Sequence, residues 1–398
     1  MYRPKMHFTP ETGWMNDPNG LIYENGRYHL FYQYYPNDVV WGPMHWGHAV
    51  SEDLTHWEHL PIALYPDHNG LAFSGSAVLH EGKMALVYTS HGKTEQQSVA
   101  FSEDNIHFTP YEGNPVIPNT TLPDFRDPKA FEDPSGGYSL ILAAGDRAMF
   151  YHSADLIHWD KTGEFGPFAL FDDCVWECPC LQPIGDKWVL ITSIGKVEDK
   201  PLHDMYYWIG RWENGTFTAE TEPEIVDFGR DDYAGVTFAN APQPTFLAWA
   251  SQWSYANQVP TAQEGFRSQM TFARELALVH TPAGLKLAAR PLGDLDPVVQ
   301  VCQEGPFTLT FTNGEETFWV GVDEDNQVFM DRTGLKKAAW SERYDLPQYA
   351  LCRAPRFQNG PCSLSVYMDR SVVEVYADEG TRVGTMLVYA ENEMKLKH

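Results

Sequence analysis

At 398 residues the chain has room for two or three domains and a large core. Its formal net charge of −26 and pI near 4.8 argue against nucleic acid or an anionic membrane as partner, since both demand basic surface. No apolar run reaches the roughly 18 residues of a bilayer-spanning helix, and Met1–Phe8 lacks the apolar stretch of a secretory signal, so the expectation is a cytoplasmic protein.

The first informative element is Trp14-Met-Asn-Asp-Pro-Asn-Gly20. It reads as a tight turn with Asp17 first, Pro18 fixing φ, Asn19 third and Gly20 closing. Such a turn holds a carboxylate rigidly, though it also suits an ordinary connection between strands. A short strand (Leu21 to Tyr23), a hairpin turn at Asn25-Gly26 and a strand from Tyr28 to Gln33 follow. His45 and His48 come next. On a strand they point to opposite faces, which suits two rim or core histidines better than a metal site.

Short alternating runs broken by Gly, Asn and Pro dominate, so the chain reads as all-β. One segment recurs: Ser51-Glu-Asp-Leu-Thr-His-Trp57, Ser102-Glu-Asp-Asn-Ile-His-Phe108 and Ser153-Ala-Asp-Leu-Ile-His-Trp159, with the serines 51 residues apart. An all-β period of about 50 residues is the mark of propeller blades. A second register agrees. Asp17, Asp127 and Glu177 each precede a short strand, a Gly-containing turn and a longer strand. Ser74 fits the same frame, and Asp231-Asp232 fits it more loosely. Blades starting near 17, 74, 127, 177 and 232 predict a five-bladed β-propeller over residues 1–292. Equivalent blade positions are related by rotation about one axis, so Asp17, Asp127 and Glu177 should meet at one mouth of the channel. Gathering three acids raises both repulsion and desolvation, which points to function rather than stability.

Of the six cysteines, Cys174, Cys178 and Cys180 are closely spaced, but no His or Cys follows at zinc-site spacing. The cysteines read as free thiols, and no metal or cofactor is expected. From Ala288 to Pro297 the pattern loosens into a linker. Alternating runs resume at Phe307–Phe311, Thr317–Val322, Ser363–Met368, Val372–Tyr376 and Thr385–Tyr389, predicting a C-terminal β-sandwich over residues 298–398.

In order along the chain, Trp14-Met-Asn-Asp-Pro-Asn-Gly20, Phe31-Tyr-Gln-Tyr34, Trp41-Gly-Pro-Met-His-Trp-Gly-His48, Phe73-Ser-Gly-Ser76, Phe125-Arg-Asp-Pro128, Trp176-Glu-Cys-Pro179, Ala248-Trp-Ala-Ser-Gln-Trp253, Arg274-Glu-Leu276 and Asp369-Arg-Ser-Val-Val-Glu374 resemble the motifs of glycoside hydrolase family 32, the β-fructofuranosidases, levanases and inulinases. The resemblance covers essentially the whole chain. It implies a five-bladed propeller plus sandwich, and retaining hydrolysis of fructosides with Asp17 as nucleophile, Glu177 as acid/base and Asp127 as transition-state stabiliser. It further implies a hydrogen-bonding wall of Asn16, Gln33, Ser74 and Arg126, and an apolar lining of Trp14, Trp41, Phe73 and Trp253. An aromatic content of 14% suits a sugar site, although all-β cores use aromatics as well.

The chemistry adds two expectations. The polar setting of Asp17 beside Asn16 should keep it ionised. Trp176, Cys178 and Pro179 should give Glu177 apolar company that raises its pKa. Tyr35, a shortened second-blade hairpin (Leu79 to Met84) and a short sandwich depart from the family pattern, which bears on leaving-group preference. The expected substrates are sucrose and short fructooligosaccharides. Longer levan or inulin chains, fructosyl transfer and a non-catalytic fructan-binding propeller are the alternatives.

Overall fold

In the computed structural model, which describes residues 1–196 and 204–397, the described strands form seven sheets, antiparallel except where Gly13-Trp14 pairs with Phe266-Arg267. Residues 197–203 of the first expected domain and residue 398 of the second lie outside the described residues. Five sheets are built on a four-stranded plan and follow one another along the chain as propeller blades. Their inner strands are Gly13–Glu24, Leu71–His80, Phe125–Glu132, Cys174–Ile184 and Tyr233–Thr237. The last blade ends with Gly284–Pro291, so the first residues of the expected linker, Ala288 to Pro291, complete a strand instead. The ring closes where Tyr23 N–H donates to Ala239 O and Ala239 N–H to Leu21 O, both at 2.8 Å, joining the first and fifth inner strands.

The three Ser-x-Asp-x-x-His repeats make the same turn, from the third to the fourth strand of blades one to three. In each, the aspartate Oδ1 accepts the backbone N–H groups two and three residues on, and Oδ2 meets the ring of the histidine. The period of 51 seen in the sequence is thus the return of one local hydrogen-bonding device.

The stretch expected to be a turn around Asp17 is a bulged strand. Gly13–Glu24 pairs with Arg27–Tyr35 throughout, and the register slips between Met15 and Pro18 and again between Asn19 and Ile22. Every inner strand slips at the corresponding place: at Ser74, at Asp127-Pro128, at Cys178-Pro179 and at Ala234-Gly235. A bulge admits one extra residue and re-aims its side chain, here into the channel. Asp127, Cys178 and Ala234 accordingly carry positive φ, at 63°, 46° and 55°. Proline suits these positions because a bulge leaves an N–H outside the ladder. Hydroxyls of second strands take up freed donors: Asp127 N–H donates to Thr89 Oγ1 at 3.0 Å, and Ala234 N–H to Ser193 Oγ at 2.9 Å.

The other two sheets pack face to face as a sandwich over Phe311, Phe318, Val320, Met330, Val366, Val375 and Met386. Gln327–Gly334 and Leu351–Pro355 add strands that the alternation did not reveal. Sandwich and propeller meet through buried charge. Arg274 of the fifth blade reaches Asp227 at 3.1 Å, Asp232 at 2.7 Å and Glu374 of the sandwich at 3.0 Å. Arg332 of the sandwich reaches Asp231 at 3.0 Å.

Candidate active site

Asp17 is held by donors from two blades. Ser74 Oγ donates to Oδ2 at 2.6 Å and Asn16 Nδ2 to Oδ1 at 3.0 Å. Asn16 is itself oriented by Trp14, whose Nε1 donates to Asn16 Oδ1 at 2.8 Å. Trp14 has no exposed surface. It therefore braces the amide from within the core instead of lining a pocket, because its indole packs against both Trp249 and Trp253. Asn19, with its amide turned so that both ends are satisfied, donates to Ser74 Oγ at 3.2 Å and accepts from Gln33 Nε2 at 2.9 Å. Gln33 Nε2 also donates to Ala72 O at 2.9 Å, so that side chain is fixed between the first two blades.

Asp127 lies beside Asp17 across the thiol of Cys178. Cys178 Sγ is 3.6 Å from Asp17 Oδ2 and 3.5 Å from Asp127 Oδ2, and Cys178 N–H donates to the latter oxygen at 2.9 Å. Burial, reinforced by the charges of Asp17 and Glu177, pushes the Asp127 carboxyl up to about 7 against the pull of Arg126. The Asp17 carboxyl is raised as well. Burial raises it, Glu177 adds to the rise, and the hydrogen bonds from Ser74, Asn16 and Cys178 only partly offset this. Burial and the same acids push the Cys178 thiol well up, so it stays protonated.

Glu177 has polar company, contrary to what its sequence neighbours suggest. Arg126 Nη2 donates to Oε1 at 3.1 Å and Tyr233 OH to Oε2 at 2.5 Å. Trp176 points the other way, into the fourth-blade core against Trp208 and Phe168, because successive strand side chains alternate faces. Arg126 also contacts Asp124 at 2.7 Å, Glu95 at 3.2 Å and Asp127 at 4.0 Å. Burial opposes its charge, and Glu177, Asp127 and Glu95 outweigh that and keep the guanidinium ionised.

At the rim, Trp41 is 42% exposed and meets Phe73 edge-on at 6.3 Å; Phe73 in turn stacks on His91 at 4.1 Å. Trp253 is half-buried beside Trp249. The structure thus gathers Asp17, Asp127, Glu177, Asn16, Gln33, Ser74 and Arg126 through one network of contacts, with Phe73 joined to it through His91 and Glu95. It adds Glu95, Tyr233 and Thr89, which carried no motif of their own, and gives Asn19 of the first motif a bonding role beyond the turn. His48 lies apart from this site, buried against His29 at 3.0 Å, while His45 bonds Pro43 O at 2.9 Å. Cys180 Sγ is 3.2 Å from Thr237 Oγ1 and Cys174 Sγ 3.6 Å from Asp172 O, so the three close cysteines have separate partners. Among the described residues no group of His, Cys, Asp and Glu is arranged to hold a metal ion, and no helix is long and apolar enough to cross a membrane.

Clustered carboxylates with distinct partners, two of them partly exposed, are the equipment of a glycoside hydrolase. Residues 7–291 match the "Glycosyl hydrolases family 32 N-terminal domain" and residues 293–398 the "Glycosyl hydrolases family 32 C terminal". The chain belongs to glycosyl hydrolase family 32 and is a hydrolase of the β-fructofuranosidase type. It is 36% identical to a levanase of Bacillus subtilis over 99% of this chain and 67% of that protein. It is 37% identical to an invertase of Schizosaccharomyces pombe over 80% of this chain, and spans 59% of the invertase's length. Among solved structures, an exo-inulinase of Aspergillus awamori superposes with a TM-score of 0.86 at 29% identity, covering 98% of this chain and 93% of that one. A β-fructofuranosidase of Schwanniomyces occidentalis gives 0.85 at 28%, covering 99% and 93%.

Proposed function

We propose that this chain is an exo-acting, retaining β-fructofuranosidase that releases terminal fructose from sucrose and short fructooligosaccharides. The observation that carries the reading is the division of labour among the carboxylates. Asp17 is fixed by Ser74 and Asn16 and Glu177 is held between a guanidinium and a phenol, and both stay partly exposed. In this reading Asp17 attacks the anomeric carbon and Glu177 delivers a proton to the departing oxygen. Glu177 then takes a proton from the water that releases fructose. Asp127, fixed by Cys178 N–H, accepts hydrogen bonds from fructose hydroxyls that strengthen as charge develops on the ring. Trp41 and Phe73 supply flat apolar faces at the rim.

The likeness to a levanase over 99% of the chain favours a second reading, in which longer levan chains are shortened from their ends. One assay decides between them: products released over time from sucrose, 1-kestose, inulin and levan, resolved by size. Free fructose from sucrose and 1-kestose, with little from the polymers, is the expected result. Oligosaccharides appearing without free fructose would overturn exo action. Asp17→Asn should keep the fold and sugar binding and lose turnover by roughly 10⁴-fold or more, as nucleophile removal does in other hydrolases. Substantial residual turnover would take Asp17 out of the nucleophile role.

A further inference from the structure

Arg126 offers its two terminal nitrogens to different acids. Nη2 serves Glu177, whereas Nη1 lies 3.2 and 3.3 Å from the two oxygens of Glu95 and 2.7 Å from Asp124. The second pair of partners is unequal. Asp124, with 36% of its side chain exposed, is the more screened by water, while Glu95 is 8% exposed and its charge acts through protein.

Glu95 is also well fixed. It begins the strand Glu95–Ser102, directly across from His91 at the end of Lys83–His91, and a tight connection joins the two. His91 Nδ1 lies 3.2 Å from Glu95 Oε1, and the His91 ring lies flat on Phe73, with 8° between planes. Glu95 is held below the usual carboxylate range: burial opposes ionisation, and His91 with Arg126 outweighs it. It is therefore a standing negative charge behind the arginine.

We infer that Glu95 is a positioning residue for Glu177, aiming the Arg126 guanidinium so that Nη2 meets Oε1 while drawing part of its positive charge away from the reacting carboxyl. The inference rests on the reading of Glu177 as acid/base given above. A general acid must keep its proton at the working pH, and an undivided guanidinium at hydrogen-bond distance would strip it. The other ionisable groups facing Glu177 are Tyr233 of the fifth blade, Asp17 of the first, Asp127 of the third and its own neighbour Cys178. Tyr233 and Cys178 stay neutral, because burial raises both. Asp17 and Asp127 add negative charge beside Glu177, Asp127 also drawing on Arg126 at 4.0 Å, and the division of Arg126 between Glu177 and Glu95 is the balance that spans the second and fourth blades.

The test is Glu95→Gln, which keeps an acceptor for Nη1 and removes the charge. The readout is kcat/KM on sucrose against pH, whose basic limb reports the acid in the free enzyme. The limb should move to lower pH by about half a unit or more, since removing a nearby like charge favours ionisation. A limb at the wild-type position in a folded Glu95→Gln protein overturns the inference. If that variant does not fold, Glu95→Asp, which withdraws the carboxylate by one methylene, should move the limb the same way, and an unmoved limb there overturns it equally. Glu177→Gln, measured alongside, separates the two readings. Lost turnover in Glu177→Gln with an unmoved limb in Glu95→Gln defeats only the role of Glu95. A Glu177→Gln enzyme that keeps turnover and its basic limb defeats the acid/base assignment, and this inference with it.

Discussion

Asp127 sits in a position that favours chemistry over stability. Its carboxyl is pushed from an ordinary value of 3.8 to about 7, chiefly by burial. A group whose folded pKa is raised in this way binds its proton more tightly in the folded chain. Folding is unaffected below pH 4, weakens as pH rises from about 4 to 7, and has lost that contribution fully above 7. Asp127→Asn removes the penalty. It should be more stable to unfolding than the wild type at pH 8, by on the order of a few kcal/mol, and lose the advantage at pH 4, with turnover reduced at both. Calorimetry at the two pH values checks this, and a variant less stable than the wild type at pH 8 would contradict it. The convergence of Asp17, Asp127 and Glu177 was legible because each recurs at one place in a repeat. The company of Glu177 was not. Trp176 and Pro179 are its neighbours in the chain, but the groups that touch it, Arg126 and Tyr233, come from the third and fifth blades. Glu95 was equally silent, since it follows a hairpin and has no counterpart in the recurring register.

At the scale of the strand, the decisive device is the bulge repeated in all five inner strands. The dipeptides Asp17-Pro18, Asp127-Pro128 and Cys178-Pro179 were its written signal, and in the sequence the first of them reads as a turn. A turn and a bulge both leave an N–H outside the ladder, so proline alone does not separate them. What separates them is the partner strand Arg27–Tyr35, which continues pairing on both sides of the slip. Gly20 makes the second slip possible. Its φ is +54°, and a Cβ there would lie 2.7 Å from Phe31 Cδ2 and 2.9 Å from Trp46 Cζ3, both rings being packed in the core. Gly20→Ala should cost about 2–4 kcal/mol, combining left-handed strain with overpacking. It should also lower kcat, because the same strand carries Asp17. Urea unfolding with a sucrose assay checks both, and an unchanged midpoint would contradict the account.

At the scale of the molecule, the sandwich is joined to the propeller by buried ionic contacts. Glu374 accepts from His7, from the Phe272 N–H, from Arg274 and from Tyr376, and Asp369 receives His7 and the N–H groups of Lys5 and Met6. These partners outweigh burial and hold Asp369 and Glu374 each at about 2, and they hold His7 above its ordinary 6.5. The signs oppose. The acids' contribution is present above about pH 4 and is lost as pH falls towards 2. That of His7 is complete below 6.5 and is lost as pH rises through its folded value. His7→Gln should therefore lower the melting temperature most between about pH 4.5 and 6.5 and progressively less at higher pH, as thermal melts across pH will show. A deficit that grew with pH would contradict this. Arg274→Met, which strands Asp227, Asp232 and Glu374 in the interior, should cost roughly 3–5 kcal/mol, the usual penalty for breaking a buried ion pair.

The sequence by itself determined the number of blades, the strand-rich class and which acids share a mouth, because a repeat that closes on itself converts spacing along the chain into angle around an axis. Only the tertiary structure decided what stands against each of those acids. A residue's facing partners are set by register slips of one residue and by side chains reaching across from other blades, and neither leaves a local mark. Trp14 has the same letters around it whether it faces sugar or core. Burial against Trp249 and Trp253 settled that it faces the core, for the physical reason that a fully enclosed indole finds its hydrogen bond in Asn16 and not in solvent.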